Sequence, residues 1–386
     1  MAIIAVCFAI RRYDRAPGER IYVGVFAPDR KQARVVFRYV LGLFHRSALL
    51  KGLVESETRE SVDLTNGVTI EVITASANAP RSRSYALAII DEAAFLPQEE
   101  SANPDVELVR AVRPALARVR GSMLAVVGSP YAQRGVLWEA WQRYKDSMPE
   151  DVVLVKAATT ELNPSFDVRA IDKAREEDPI AAATEYDAEF RSDVEGYVSL
   201  EVILACVDKG VAERAPNPST DYFAFVDPAG GSGTDSMTLA IAHKMEGFMV
   251  LDALREIRPP FSPEHTAKEF ATVLKSYHLD SVTGDRYGGD WPKEAFSRQD
   301  ITYEPSEKSK SELYVDALAF LNSRRIRLLE HARLQTQISG LERRSARGGR
   351  DSIDHGPGGH DDLANVALGV AATFLDEYDW NGGLVL

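Results

Sequence analysis

The stretch YFAFVDPAGGSGTDSMTLAIAHKMEGFMVLDAL, Tyr222–Leu254, decides how the second half of the chain is read. It holds three segments of strand length, YFAFVD, SMTLAIAH and GFMVLDAL, rich in apolar and β-branched residues and joined by short connections, so they predict three successive strands. Asp227 closes the first of them. The glycine-rich turn that follows, PAGGSGTDS, leaves room for a bulky ligand at that carboxylate, because glycine tolerates backbone conformations that other residues avoid.

Downstream, a helical pattern from Pro263 to Tyr277 leads to the strand SVTGD, Ser281–Asp285, which Asp285 closes as Asp227 closes its own strand. Helical segments around Lys308–Asn322 and His360–Glu377 complete the half. A three-strand meander followed by alternating helices and strands is the order of a ribonuclease-H-like fold. In that order the first strand, the fourth strand and the last helix meet at one end of the sheet. Asp227, Asp285 and the pair Asp361-Asp362, which begins the helix in GHDDLANVALGVAATF, would therefore converge. Converging carboxylates repel unless cations neutralise them. Oxygen ligands without Cys or His partners select magnesium or manganese over zinc. Two such ions about 4 Å apart activate water and stabilise the leaving oxygen of a phosphodiester. Singly, each acid has a plainer explanation: Asp361 or Asp362 as a helix N-cap, Asp285 in an ordinary loop. His355 and His360 flank the last acids; such histidines are more often surface residues or neighbours of the ligands, and His360 alone is kept as a weak metal-adjacent candidate.

The first half alternates strands with helices: IYVGVFAP, a helical pattern from Asp29 to Phe44, and a hairpin turning at Asn66-Gly67. ALAII, a helix over Val106–Val119, the strand MLAVVGSP and a helix through WEAWQRY follow. This is an α/β pattern with a largely parallel sheet. ALAII runs straight into Asp91-Glu92, a carboxylate pair suited to contacting magnesium and orienting a water beside a nucleotide. That chemistry needs a phosphate-binding G-x-x-x-x-G-K-S/T loop, and the 386 residues contain none. The Pro- and Gly-rich run VDKGVAERAPNPST suggests a linker at 207–220 between domains 1–206 and 221–386.

A hydrophobic content of 45% supports real cores, and no run of eighteen apolar residues suggests a membrane span. Two cysteines, Cys7 and Cys206, form neither a disulfide framework nor a metal spacing, which fits a cytoplasmic setting. The net charge of −13 argues against a surface that binds nucleic acid throughout but allows a local basic track. One runs from Arg324 to Arg350, includes Arg324, Arg325, Arg327, Arg333, Arg343, Arg344 and Arg347, and precedes the HDD helix, so it would lie beside the metal site; a solvated charged surface is its plainer reading.

Taken together, VFAPDRKQARVVFRY, ALAIIDEAAF, VVGSP, NPSFD, EYDAEFRSD, FVDPAGGSGTDS, TGDRYGGDW and GGHDDLANVALG resemble the large subunit of tailed-bacteriophage terminases. These are ATP-driven DNA-packaging motors with a C-terminal nuclease. The resemblance covers nearly the whole chain. It implies a P-loop NTPase-like parallel sheet, here incomplete, followed by a ribonuclease-H-like nuclease domain. It further implies metal ligation by Asp227, Asp285 and Asp361 or Asp362, magnesium contact by Asp91, water activation by Glu92 and coupling by Ser129. Duplex DNA, a portal protein and a terminase small subunit would be the partners, with assembly into an oligomer on the portal, in the host cytoplasm. In the family the phosphate loop lies just before the apolar helix within which this sequence begins. The chain is thus read as a fragment or as a form without ATPase, using ATP only if the upstream segment is supplied. A ribonuclease-H-like resolvase or transposase would share the acids but leaves DEAA and GSP without a purpose. A non-catalytic prophage remnant is the third reading.

Overall fold

A computed structural model describes residues 1–75, 82–98, 101, 103–285, 290–345 and 351–376. The chain forms two compact units, Met1–Val194 and Glu195–Leu386.

In the first unit, β1 (Ile21–Ala27), β2 (Val54–Glu57), β3 (Ser61–Leu64), β4 (Val68–Thr74), β5 (Ser84–Ile90) and β6 (Met123–Val126) build one sheet in the order β2-β3-β4-β1-β5-β6. The β4-β1-β5-β6 part is parallel, and β2 and β3 add an antiparallel edge. Every residue of β5 is buried, which explains why ALAII reads as a continuous apolar run rather than an alternation. Asn66-Gly67 turns between β3 and β4, with Gly67 at φ +82°. The helix Arg30–Arg46 is capped by Asp29, whose Oδ1 accepts the Lys31 and Gln32 amides at 2.6 and 2.9 Å. It turns Ala33, Val36, Phe37, Val40 and Phe44 inward. The short strand β7 (Val194–Gly196) lies at the division between the units.

The second unit contains β8 (Val207–Asp208), β9 (Tyr222–Asp227), β10 (Met237–Met245), β11 (Phe248–Ile257), β12 (Ser281–Gly284), β13 (Thr302–Pro305) and β14 (Ile326–Leu329). They form one sheet in the order β13-β12-β9-β10-β11-β14-β8. Among the described residues β10 alone runs against its neighbours in this sheet, and the other pairings are parallel. The segment 207–220, read from its composition as a linker, lies inside this unit. Val207 pairs with Leu328, and the Arg214 guanidinium bonds the Leu251 carbonyl and Asp208. Its prolines and glycine mark turns within the unit, a role that composition does not distinguish from a boundary. A hairpin of β15 (Leu341–Ser345) and β16 (Asp351–His355) precedes the final helix, Asp362–Asp376.

That helix is apolar and, from Leu363 through Ala372, buried at all of its hydrophobic positions, so it belongs to the core. It approaches β9 at Gly369, where a Cβ would lie 2.9 Å from the Phe225 ring. Gly369→Val should therefore over-pack the seam and cost about 1–3 kcal/mol, read as a lower denaturation midpoint. An unchanged midpoint would show that this close approach does not constrain the helix.

Candidate metal centre

β9 and β12 run in the same direction, so their final residues reach the same end of the sheet; the Asp285 amide donates to the Val226 carbonyl at 3.3 Å. The final helix starts at that end. Asp227, Asp285, Asp361 and Asp362 all line one cavity of about 450 Å³ with Asn365, Ser236, Lys310, His355, His360 and part of the glycine-rich turn. Gly231 in that turn has φ +78°, and a Cβ there would collide with the Phe261 carbonyl at 2.2 Å, so only glycine fits.

Each of the four acids is tied to the protein through its side chain or its backbone. Asn365 Nδ2 donates to Asp227 Oδ2 at 2.8 Å. The Ser236 amide donates to Asp362 Oδ2 at 3.2 Å, and Thr238 Oγ1 fixes the Asp362 carbonyl at 2.8 Å. Tyr303 donates its hydroxyl to the Asp285 carbonyl at 2.6 Å. Asp361 Oδ2 receives the Tyr314 hydroxyl at 2.8 Å and the Lys310 ammonium at 3.0 Å. The same ammonium reaches Asp354 Oδ1 at 2.7 Å. Gln337 Oε1 accepts the Leu363 and Ala364 amides at 2.7 and 3.1 Å, satisfying donors that the first turn of the helix leaves open.

The electrostatics follow from this crowding. Burial, with the charges of Asp285, Asp362 and Asp361, pushes the Asp227 carboxyl up to about 8 against the opposing Asn365 bond. Burial and Asp361 also raise Asp362, although the Ser236 amide pulls the other way. Burial works against the Lys310 ammonium, but Asp361 and Asp354 outweigh it and hold its pKa above lysine's ordinary value. Asp354, though partly buried, is held below the ordinary carboxylate value by Lys310.

The donor set fits a hard divalent cation. The converging ligands are carboxylate oxygens, burial drives Asp227 toward its neutral form, and Asn365 Oδ1 is buried with no protein partner among the described residues. Asp361 already carries the Lys310 ammonium, whereas Asp227 and Asp362 receive neutral donors, the Asn365 amide and the Ser236 N–H.

Sequence reasoning missed Lys310, Tyr314, Asp354, Ser236 and Asn365. Asn365 had a signal, since it follows Asp361 by four residues and Asp362 by three, which puts all of them on neighbouring positions of one helix face. Lys310 and Tyr314 are also four apart, but nothing local says which acid they meet.

In the first unit Asp91 follows β5 directly, its amide donating to the Phe26 carbonyl at 2.8 Å. Glu92 sits in the left-handed region at φ +49°, and its carboxylate accepts the Ser129 amide. Gly128 makes this possible, because a Cβ there would come within 3.2 Å of Glu92 Cα. Burial raises both carboxyls, Glu92 further through Asp91 and Glu185. Asp91, Glu92 and Ser129 are thus brought together at the ends of two adjacent parallel strands.

The arginines do not form one track. Arg324 and Arg325 precede β14, a strand parallel to β11 and thus to β9, so they lie at the end of the sheet opposite Asp227. The expectation that they flank the acids fails because the chain crosses the whole sheet through β14 between them and the hairpin. Arg327 pairs with Asp208 at 3.6 Å. Arg333 donates to Glu256 Oε1 at 3.1 Å, an oxygen that also accepts Ser236 Oγ at 3.0 Å. Arg343 and Arg344 sit on β15 opposite Ile353 and Ser352, on the hairpin that leads to Asp354 and His355. Arg347 lies outside the described residues.

No protein-family model matches the chain, and no curated protein matches it. Solved structures similar to it are large terminases of phages and their nuclease domains. The large terminase of bacteriophage HK97 is 15% identical, with 95% of this chain and 87% of that one covered, at TM-score 0.39. A large terminase from a thermophilic bacteriophage is 12% identical over 97% of this chain and 90% of that one, at TM-score 0.40. The large terminase nuclease of thermophilic phage G20c with bound magnesium is 18% identical over 42% and 85%, at TM-score 0.36. Among the described residues no helix is long and apolar enough to cross a membrane.

Proposed function

We propose that the second unit is a metal-dependent endodeoxyribonuclease of the terminase large-subunit type. The observation that carries this reading is the cavity lined jointly by Asp227, Asp285, Asp361 and Asp362, contributed by two parallel strand ends and the final helix. The strand order, with one antiparallel strand beside the first, supports a ribonuclease-H-like domain, and the motifs of both halves support the terminase type.

Magnesium or manganese, when bound, supplies the positive charge and Lewis acidity that phosphodiester hydrolysis needs. Asp227, Asp285 and Asp362 would hold it. Asn365 fixes Asp227, and the Ser236 amide fixes Asp362, so the ligand oxygens are oriented before any ion arrives. From the glycine-rich turn Gly230 and Gly233, which carry no side chain, contribute to the lining.

The first unit is an ATPase-like domain in this reading, with Asp91 and Glu92 at the nucleotide and Ser129 as the coupling contact. These 386 residues supply no phosphate cradle of the usual kind, so by themselves they should hydrolyse ATP negligibly. Duplex DNA is the proposed substrate, and the portal and small subunit the proposed partners. Conversion of supercoiled plasmid to nicked and linear forms by the full chain, in manganese or magnesium and not in chelator, tests the reading; no metal-dependent conversion would overturn it.

Of the arginines, Arg343 and Arg344, on the hairpin that leads to Asp354 and His355, are the proposed phosphate contacts. Arg344 already pairs with Glu342 at 3.5 Å, so replacing both by Ala should lower the slope of log binding constant against log salt by about one unit on duplex DNA, through Arg343. Replacing Arg324 and Arg325, at the far end of the sheet, should change it less. Binding over a salt series reads both, and an unchanged slope for the Arg343/Arg344 variant would mark the hairpin as a merely solvated surface.

A further inference from the structure

A second ligand set lies at the cavity, which His355 and Asp361 of that set line together with Lys310. One ligand atom each from Asp354, His355 and Asp361 lies within 4.8 Å of the others, a spacing that would suit a metal ion. A cation already sits against it: the Lys310 ammonium is 2.7 Å from Asp354 Oδ1 and 3.0 Å from Asp361 Oδ2. The placement is built into the helix Lys310–Asn322. Lys310 is its first residue, and Tyr314, one turn on, donates to the same Asp361 oxygen at 2.8 Å. The Ser309–Glu312 capping box fixes that first turn.

We propose that Lys310 is a positioning residue whose ammonium serves as the resident cation of the Asp354–His355–Asp361 set, excluding a divalent ion there and confining metal to Asp227, Asp285 and Asp362. This rests on the metal-centre reading above. An ammonium and a divalent ion cannot share one carboxylate oxygen at contact distance without strong repulsion. With Lys310 in place, Asp361 Oδ2 is committed to Lys310 and Tyr314, which leaves the metal to Asp227, Asp285 and Asp362. Among the described residues lining the cavity Lys310 is the only Lys or Arg, so its removal takes from Asp354 and Asp361 the cation they share.

The test is manganese binding to the full chain, counted by calorimetry and by the loss of free-ion resonance signal. Lys310→Met, which keeps the buried stem, should bind one more manganese ion per chain than the wild type and gain more thermal stability from it. Lys310→Arg should keep the wild-type count, and adding Asp354→Asn to Lys310→Met should remove the extra ion. An unchanged count in Lys310→Met would overturn the proposal. Asp354→Asn alone, with Lys310 intact, should leave the count unchanged; loss of an ion there would overturn the proposal even if Lys310→Met does not fold. Absence of binding that depends on Asp227 would instead count against the metal-centre reading, since the Lys310→Met gain does not require Asp227.

Discussion

Asp227→Ala and Asp285→Ala should each reduce metal-dependent cleavage of plasmid DNA by on the order of 10³-fold or more, with the fold intact. The two acids close parallel strands at one end of the sheet, and in the proposed reading both ligate the metal. Removing either leaves too few oxygens to hold a hard cation against water. The fold should survive, because Asp227 is held at an electrostatic cost rather than as a stabilising pair. Cleavage rates in manganese, with circular dichroism as the control for folding, check this. Folded variants that both cut at the wild-type rate would mean that the chemistry resides elsewhere.

The second large effect is on stability and its dependence on pH. Asp227 has its carboxyl pushed up to about 8 in the folded chain, whereas an exposed aspartate titrates near about 3.9. Between those values the folded state holds a proton that the unfolded state has released. The contribution to metal-free stability is therefore present at low pH, declines as pH rises through this window and is gone above about pH 8. Asp227→Asn lacks this term. Metal-free, the variant should be more stable than the wild type by about 2–4 kcal/mol at pH 8 and nearly equal at about pH 4.5. Manganese should reverse the order at pH 8 by stabilising the wild type alone. Denaturant midpoints at the two pH values, with and without manganese, provide the measurement. Parallel pH profiles for the two proteins would show that Asp227 does not carry the burden of the cluster.

Much of this arrangement was legible in the sequence because it rests on local patterns. Asp227 and Asp285 are recognisable as strand ends, and the Asn66-Gly67 turn and the buried run of β5 follow from turn chemistry and apolar periodicity. The Lys310 contacts were not legible, since they depend on which helix packs beside the final one. Arg324 and Arg325 show the complementary limit: nearness in sequence to the HDD segment suggested nearness in space, yet β14 carries the chain across the sheet between them. The run 207–220 shows that prolines report turns without saying whether a domain ends there.

The Asn365–Asp227 hydrogen bond joins residues 138 positions apart. At a synthesis rate of about 5–20 residues per second, that interval takes on the order of 10 s on the ribosome. During it the nascent chain exposes β9 and its acid without the final helix that completes the cavity. Whatever chemistry the cavity performs is therefore unavailable until the final helix has been made and docks. The order of translation itself thus separates the making of β9 and its acid from the completion of the cavity.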